Sequence, residues 1–150
     1  MEHGRKAREA ALLSAQSIRP GVVETLQTAR RIGLKIGLAS SSPCRWVTGN
    51  LERLGLIDYF ECIRCQDDVQ LTKPDPELYL AAAACLEVPP VEAIAIEDSP
   101  NGVTAAKRAG MFCVAVPNDL TSGLRLDHAD LRLDSLADLP LEELIAKAQV

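Results

Sequence analysis

Short apolar runs alternate with longer helix-forming stretches along this chain. Runs of strand length occur at residues 34–39, 59–63, 93–97 and 112–116, and residues 131–133 fit a small edge strand. The stretches that favour helices cover residues 22–32, 43–54, 76–86, 99–109 and 141–148. Strands that alternate with helices predict an α/β fold, with a Rossmann-like parallel sheet and helices on both faces.

The beginning of the chain has a different character. Residues 2–17 are charged and rich in alanine and carry only a weak apolar face. This pattern predicts a helix that covers another part of the protein or acts as a linker. Arg19-Pro20-Gly21 then interrupts the helical pattern. We therefore expect a first segment over residues 1–18 and a core over residues 19–150, a length that suits one domain.

Composition and charge exclude some classes of partner. The net charge of −5 argues against a nucleic-acid-binding protein, which needs a basic face. Because the chain shows neither an apolar run of membrane-spanning length nor a signal-peptide pattern, we expect a cytoplasmic protein without a membrane partner. A small phosphorylated substrate stays compatible with this charge, since a few local donors can bind it.

The five cysteines are scattered along the chain. Cys62-Ile63-Arg64-Cys65 is a single C-x-x-C pair, and a zinc site would need a second pair or nearby histidines. We therefore expect ordinary reduced thiols, as in most cytosolic proteins.

Two acidic residues stand where a buried strand turns into a helix. Glu97 and Asp98 follow the apolar run Ala93–Ile96, and Ser99-Pro100 supplies an N-cap and a favoured first helical residue. In a parallel α/β sheet this is the ligand-binding edge, and a hard cation would relieve the repulsion between adjacent carboxylates. The alternative is a solvated acidic pair with Asp98 helping to cap the helix, and this stretch alone leaves both interpretations open.

Three predicted helices start in the same way, with a polar residue followed by proline. These starts are Ser42-Pro43, Asp75-Pro76 and Ser99-Pro100, preceded respectively by Ser40, Lys73 and the Glu97-Asp98 pair. Helix N-termini present free N–H groups and partial positive charge, which suit a phosphate group. If the sheet is parallel, all three starts lie along one edge.

This set of side chains predicts a phosphate and magnesium site. Ser40 would donate to phosphate oxygens, Lys73 would neutralise negative charge, and Glu97 and Asp98 would hold Mg²⁺, which commonly takes one or two carboxylates plus phosphate. Taken singly, Ser40 is more often a turn residue and Lys73 a solvated loop lysine. Their shared position at strand-to-helix junctions favours the functional interpretation.

The same residues resemble the conserved motifs of a known family. Gly37–Ser42, Lys73–Glu77 and Ile96–Gly102 resemble motifs two, three and four of the haloacid dehalogenase superfamily, and Arg19–Val22 is similar to the run that precedes motif two. The β-phosphoglucomutase-like phosphatases are the most similar subgroup.

The resemblance implies a Mg²⁺-dependent phosphatase or phosphomutase that acts on a small phosphoester, such as a phosphosugar, through an aspartyl-phosphate. By the resemblance, Ser40 and Lys73 are catalytic residues. Ser40, Ser41 and Lys73 bind the phosphate, and Glu97 and Asp98 bind the metal.

The chain departs from the family at motif one. An Asp-x-Asp-Gly-Thr run, which supplies the nucleophile after an N-terminal strand, occurs nowhere in the sequence. By the resemblance, residues 1–18 are the last helix of a helical cap domain and residues 19–150 an incomplete core without its first strand. We expect this truncated chain to be inactive alone; the alternative is a non-catalytic remnant that serves as a binding or interaction module.

The family's strand order adds a structural expectation. In the family, the first strand, which precedes motif one, lies between the strands that correspond to residues 34–39 and 93–97, so these two should flank a gap or a rearranged pairing. Unpaired edges of apolar strands are templates for association, and we therefore expect self-association.

Overall fold

The structure, a computed structural model, describes residues 17–149, and almost all of the predicted N-terminal helix lies outside them. The described part is an α/β fold of parallel strands and flanking helices, as predicted. The helices are α1 (Val22–Arg31), α2 (Cys44–Arg53), α3 (Glu77–Leu86), α4 (Pro100–Arg108) and α5 (Leu141–Ala148). The strands are β1 (Gly37–Ala39), β2 (Cys62–Arg64), β3 (Ile94–Glu97), β4 (Phe112–Ala115) and β5 (Leu131–Arg132). None of the helices in the described range is long and apolar enough to cross a membrane.

The strands form two separate parallel sheets. One sheet holds β1 and β2, with Gly37 opposite Cys62, and the other has the order β3-β4-β5, with Ile94 opposite Phe112 and Val114 opposite Leu131. Among the described strands, no hydrogen-bonded ladder joins β1 to β3. Of the two predicted outcomes, a gap or a rearranged pairing, the structure shows the gap.

Local signals account for the sharpest element boundaries. At the start of α4, Ser99 Oγ accepts a hydrogen bond from Gly102 N at 3.2 Å, and Pro100 occupies the first turn, as predicted. Gly110 follows the helix with φ of 88°, a conformation that glycine adopts without strain.

Tertiary contacts altered other predicted boundaries. The predicted strand 34–39 narrows to Gly37–Ala39, and the run 59–63 becomes a 3₁₀ turn at Ile57–Tyr59 followed by β2. Ser42 does not cap α2: the N-cap position belongs to Pro43, and Cys44 N instead donates to Asp67 Oδ1 at 3.2 Å. A carboxylate distant in sequence has replaced the local cap.

Three apolar clusters fill the interior. The first lies between β3–β4 and the helices α3 and α4, and contains Val103, Cys113 and Leu126. The second covers the other face of the same sheet with α1 and α5 and contains Val114 and Leu144. The third packs α1 and α2 against the β1–β2 sheet. The larger sheet is thus covered on both faces.

The expectation of five reduced thiols is wrong for two of the cysteines. Helix α3 packs over the β1–β2 sheet and brings Cys85 to Cys62, with their Cα atoms 6.1 Å apart, and the two form a disulfide. The pair is 23 residues apart in sequence, and the pattern of residues does not reveal which strand α3 covers. Cys44, Cys65 and Cys113 are free thiols.

Candidate active site

Lys73 connects the two sheets at their carboxyl edge. Its ammonium group donates to Ala39 O, at the end of β1, at 2.8 Å and contacts Glu97 Oε1, at the end of β3, at 2.5 Å. The Lys73 and Glu97 side chains are only 13% and 6% exposed, so this ion pair is largely shielded from water. The predicted motif-three and motif-four residues therefore meet, across the gap between β1 and β3.

Glu97 is held by more than its ion pair. The phenol of Tyr79, on α3, donates to Glu97 Oε1, and Asp98 N donates to Glu97 Oε2 at 3.3 Å. Burial, followed by the nearby Glu97 carboxylate, raises the pKa of Tyr79 far above its usual range, so the phenol stays a neutral donor. The Glu97 carboxylate has a cation and two hydrogen-bond donors around one buried position.

Gly102 makes room for this carboxylate. A Cβ atom at residue 102 would lie 1.8 Å from Glu97 Oε2 and 2.1 Å from its Cδ. No side chain larger than hydrogen fits at residue 102, in the first turn of α4, while Glu97 keeps its position. The clash explains why the motif Ile96–Gly102 ends in glycine.

The loop after β1 places two serines beside Lys73. Ser40 N donates to Arg64 O at 2.9 Å, which extends the β1–β2 pairing, and Ser40 Oγ accepts from Ser42 N at 3.1 Å. Ser41 Oγ accepts from Lys73 N at 3.2 Å. Each serine oxygen therefore accepts a backbone N–H, and its own O–H stays available to donate to another group.

Asp98 faces outward, unlike Glu97. Its side chain is exposed, and Asn118 Nδ2 donates to Asp98 Oδ2 at 3.2 Å. Asn118 follows β4, so a third strand end contributes to the same edge. The two acidic residues of the sequence pair thus have different surroundings.

Sequence reasoning missed three residues of this site: Tyr79, Gly102 and Asn118. Tyr79 stands in an apolar helical stretch where it reads as a core residue, and Asn118 follows the strand-ending Pro117 like an ordinary turn residue. Gly102 has no role of its own in the sequence pattern beyond closing the Ile96–Gly102 motif. The one available signal was that Asn118, like Ser40 and Asp98, lies within two residues of the end of a predicted strand.

Known proteins share both the sequence and this architecture. The sequence profile of the haloacid dehalogenase-like hydrolases matches residues 2–110. The chain belongs to the haloacid dehalogenase-like hydrolase family. The Bacillus subtilis protein YhcW is 51% identical over 141 residues, which are 94% of this chain and 64% of YhcW.

Two further relatives carry the names of specific enzymes. Hexitol phosphatase B of Escherichia coli is 36% identical over 127 residues, 84% of this chain and 57% of the relative. The crystal structure of β-phosphoglucomutase from Clostridium difficile superposes with a TM-score of 0.80 at 32% identity, covering 93% of this chain and 61% of that one. The chain therefore spans less than two thirds of these relatives, which include a phosphatase and a phosphomutase of the family.

Proposed function

We propose that this chain is the core of a Mg²⁺-dependent phosphatase, or of the related phosphomutase type, that acts on small phosphoesters. The observation that carries the proposal is the contact of the Lys73 ammonium with both Ala39 O and Glu97 Oε1. A buried cation at the junction of three strand-end loops is suited to the charge that develops on a transferring phosphoryl group.

The serines next to Lys73 supply the remaining phosphate contacts. Because Ser40 Oγ and Ser41 Oγ already accept backbone N–H groups, their hydroxyl protons can turn toward a phosphate oxygen. Ser40 would bind one oxygen, Ser41 a second, and Lys73 would lower the negative potential around both. We assign Ser40 and Lys73 as catalytic residues on this basis.

The acidic residues fit a weakly held magnesium ion. The exposed Asp98 carboxylate can offer an oxygen to a hard cation, and Mg²⁺ is commonly bound by one or two carboxylates with water completing its shell. Glu97, whose charge Lys73 compensates, would contribute as the second and weaker ligand. When bound, the ion would supply positive charge that polarises the phosphoryl group.

The chain itself provides no carboxylate nucleophile by the family pattern, because it contains no Asp-x-Asp-Gly-Thr run. Glu97 is held by Lys73 and Tyr79 and cannot also attack phosphorus in line. We therefore expect no turnover by this chain alone. Phosphate binding without turnover is what the second interpretation, a non-catalytic binding module, also requires.

Complementation tests the proposal directly. The chain is mixed with a synthetic peptide in which an apolar strand precedes Asp-x-Asp-Gly-Thr, and hydrolysis of a generic phosphomonoester is measured with Mg²⁺. We expect activity only in the mixture, and its loss when the first peptide aspartate is changed to asparagine or when Lys73 is changed to alanine. Lys35→Ala is the matched control, since Lys35 Nζ also donates to a backbone carbonyl, Leu86 O, at 2.8 Å but is exposed.

Two results would contradict the proposal. Phosphatase activity of the purified chain without the peptide would show that its nucleophile lies among its own residues. If the peptide binds but restores no activity, and phosphate binding survives Lys73→Ala, the edge at Lys73 is not a phosphoryl-transfer site. Size-exclusion chromatography of the same samples reports whether the open strand edges self-associate and whether the peptide prevents this.

A further inference from the structure

A second group of reactive side chains contains none of the residues assigned above to phosphate or magnesium. Cys44 begins α2, Cys65 follows β2, and Asp68 ends the 3₁₀ turn Gln66–Asp68. Their two sulfur atoms and one carboxylate oxygen lie within 4.8 Å of one another. In the described residues this is the one group of three or more such side chains close enough to share a metal ion.

The distances within this group are close to those of a metal centre. Cys44 Sγ lies 3.3 Å from Asp68 Oδ2. A tetrahedral ion with bonds of about 2.0–2.3 Å needs ligand atoms roughly 3.5–3.8 Å apart. Since all three atoms lie within 4.8 Å of one another, we expect rotation of the two cysteine side chains to bring them to this spacing.

The backbone holds the three residues in place independently of any ion. Cys65 N donates to Asp68 Oδ2 at 2.8 Å, and Gln66 N donates to Ser42 O at 3.0 Å. Cys44 N donates to Asp67 Oδ1 at 3.2 Å. The segment after β2 thus donates one hydrogen bond to the loop before α2 and accepts one from the start of α2. Cys65 is completely buried.

We propose that Cys44, Cys65 and Asp68 bind a structural zinc-type ion, with water or Asp67 as the fourth ligand. Thiolate sulfur selects zinc over the hard cation expected at Asp98. On binding, the S–H protons of Cys44 and Cys65 pass to solvent and two metal–sulfur bonds form, without any change of oxidation state. Two thiolates and one carboxylate leave the site with one net negative charge.

The location gives such an ion a structural role. The loop Ser40–Pro43, which carries the phosphate-binding serines, runs between β1 and Cys44. An ion shared by Cys44, Cys65 and Asp68 would cross-link the far end of that loop to the segment after β2. The site would therefore stiffen the loop through residues that are not among those assigned to phosphoryl transfer.

Cobalt substitution reads out the thiolate ligands. Co²⁺ is added to the full chain under anaerobic conditions without reductant, so that the Cys62–Cys85 disulfide stays closed. We expect a near-ultraviolet thiolate-to-cobalt absorption at one equivalent, which Zn²⁺ removes by displacement. Co²⁺ bound only at Asp98 and Glu97 has no sulfur ligand and gives no such band, so failure of the magnesium proposal is distinguishable from failure of this one.

Variants assign the band to its ligands. We expect Cys44→Ala to abolish it and Asp68→Asn to weaken affinity at least about tenfold, a loss typical even for residues that only support metal ligands. Cys113→Ala is the control, since Cys113 is a free and fully buried thiol on β4. Circular dichroism confirms that each variant is folded before titration.

Zinc should also raise the melting temperature of the wild-type chain and of Cys113→Ala, but not of Cys44→Ala, because an ion that binds only the folded state stabilises it. No thiolate band, or a band that persists in Cys44→Ala, would overturn the proposal. A Cys44–Cys65 disulfide found by mass spectrometry in protein purified without oxygen would overturn it as well, since both thiols would then be consumed.

Discussion

The two sheets of this molecule differ in how completely they are covered. In the three-stranded sheet, β4 has a neighbour on each edge and helices on both faces, and Cys113, Val114 and Ala115 are completely buried. In contrast, β1 has one neighbour and its Gly37 is exposed. On β3, which also lacks a second neighbour, Ile96 is 39% exposed.

This difference shows where the stability of the site comes from. A central parallel strand is fixed by backbone hydrogen bonds on both edges, whereas within residues 17–149 the hydrogen bonds that join β1 to β3 at the carboxyl edge come from one side chain, Lys73. Active-site geometry across the gap therefore depends on an ion pair and its hydrogen bonds. The predictions below remove the Lys73–Glu97 ion pair, introduce a steric clash with Glu97, or test a comparable ion pair in the three-stranded sheet.

The largest effect is expected from Lys73→Met. The substitution leaves the Glu97 carboxylate buried without its cation, and breaking one side of a buried ion pair costs about 3 kcal/mol in the free energy of unfolding. Urea denaturation at neutral pH measures this loss. Lys35→Met, which removes only an exposed hydrogen bond to Leu86 O, should cost less than about 1 kcal/mol.

A second substitution separates charge burial from packing. In the Lys73→Met, Glu97→Gln double variant the buried charge is gone, so part of the lost stability should return. If the double variant is no more stable than Lys73→Met, the lysine acts through its aliphatic packing and its bond to Ala39 O rather than through the ion pair.

Gly102→Ala should have the next largest effect. The new Cβ would occupy the position of the Glu97 carboxylate, and we expect a loss of about 2 kcal/mol, typical of overpacking a filled interior. Gly49→Ala is the matched control, because Gly49 also lies in a helix, and a Cβ there would meet nothing within 4 Å. That variant should gain about 0.5–1 kcal/mol from helix propensity. Equal stabilities of the two variants would mean that Glu97 does not occupy the space beside α4.

The smallest effect concerns Asp130, whose side chain binds α4 and β4 of the three-stranded sheet. Its Oδ2 accepts from Cys113 N and from Lys107 Nζ, each at 2.7 Å. Asp130→Asn should cost about 1 kcal/mol at neutral pH, the worth of an ordinary hydrogen bond. Asp127→Asn, the same change at a nearby exposed residue, should cost almost nothing.

The cost of Asp130→Asn should depend on pH in a defined direction. Burial acts to raise the pKa of Asp130, but the hydrogen bonds from Lys107 and from Cys113 N outweigh it and hold this pKa below the usual 3.8. A lowered folded-state pKa gives stability that is present above pH 3.8 and is lost as the pH falls through the folded-state value. The wild-type advantage should therefore shrink below about pH 4; a constant difference down to pH 2 would contradict the ionic role of Asp130.

Elements governed by their own residues were predictable. Helix α5 has the predicted bounds, and α4 begins at Pro100 after the Ser99 cap, because a cap and a proline act within one turn of backbone. The proximity of Lys73 and Glu97 was predictable from the order of the motifs, since the carboxyl ends of parallel strands lie at one edge of a sheet. The expected gap beside β1 followed from the resemblance to the family.

The sequence by itself determined the family, the alternation of strands and helices, and most of the residues at the carboxyl edge. Only the tertiary structure decided which of them touch: Glu97 turns inward to Lys73 and Tyr79, and Asp98 outward to Asn118. It also decided the pairing of Cys62 with Cys85 and the grouping of Cys44 with Cys65 and Asp68. These contacts join residues about 20 positions apart, and their geometry depends on how helices pack over strands, which local propensity and periodicity do not encode.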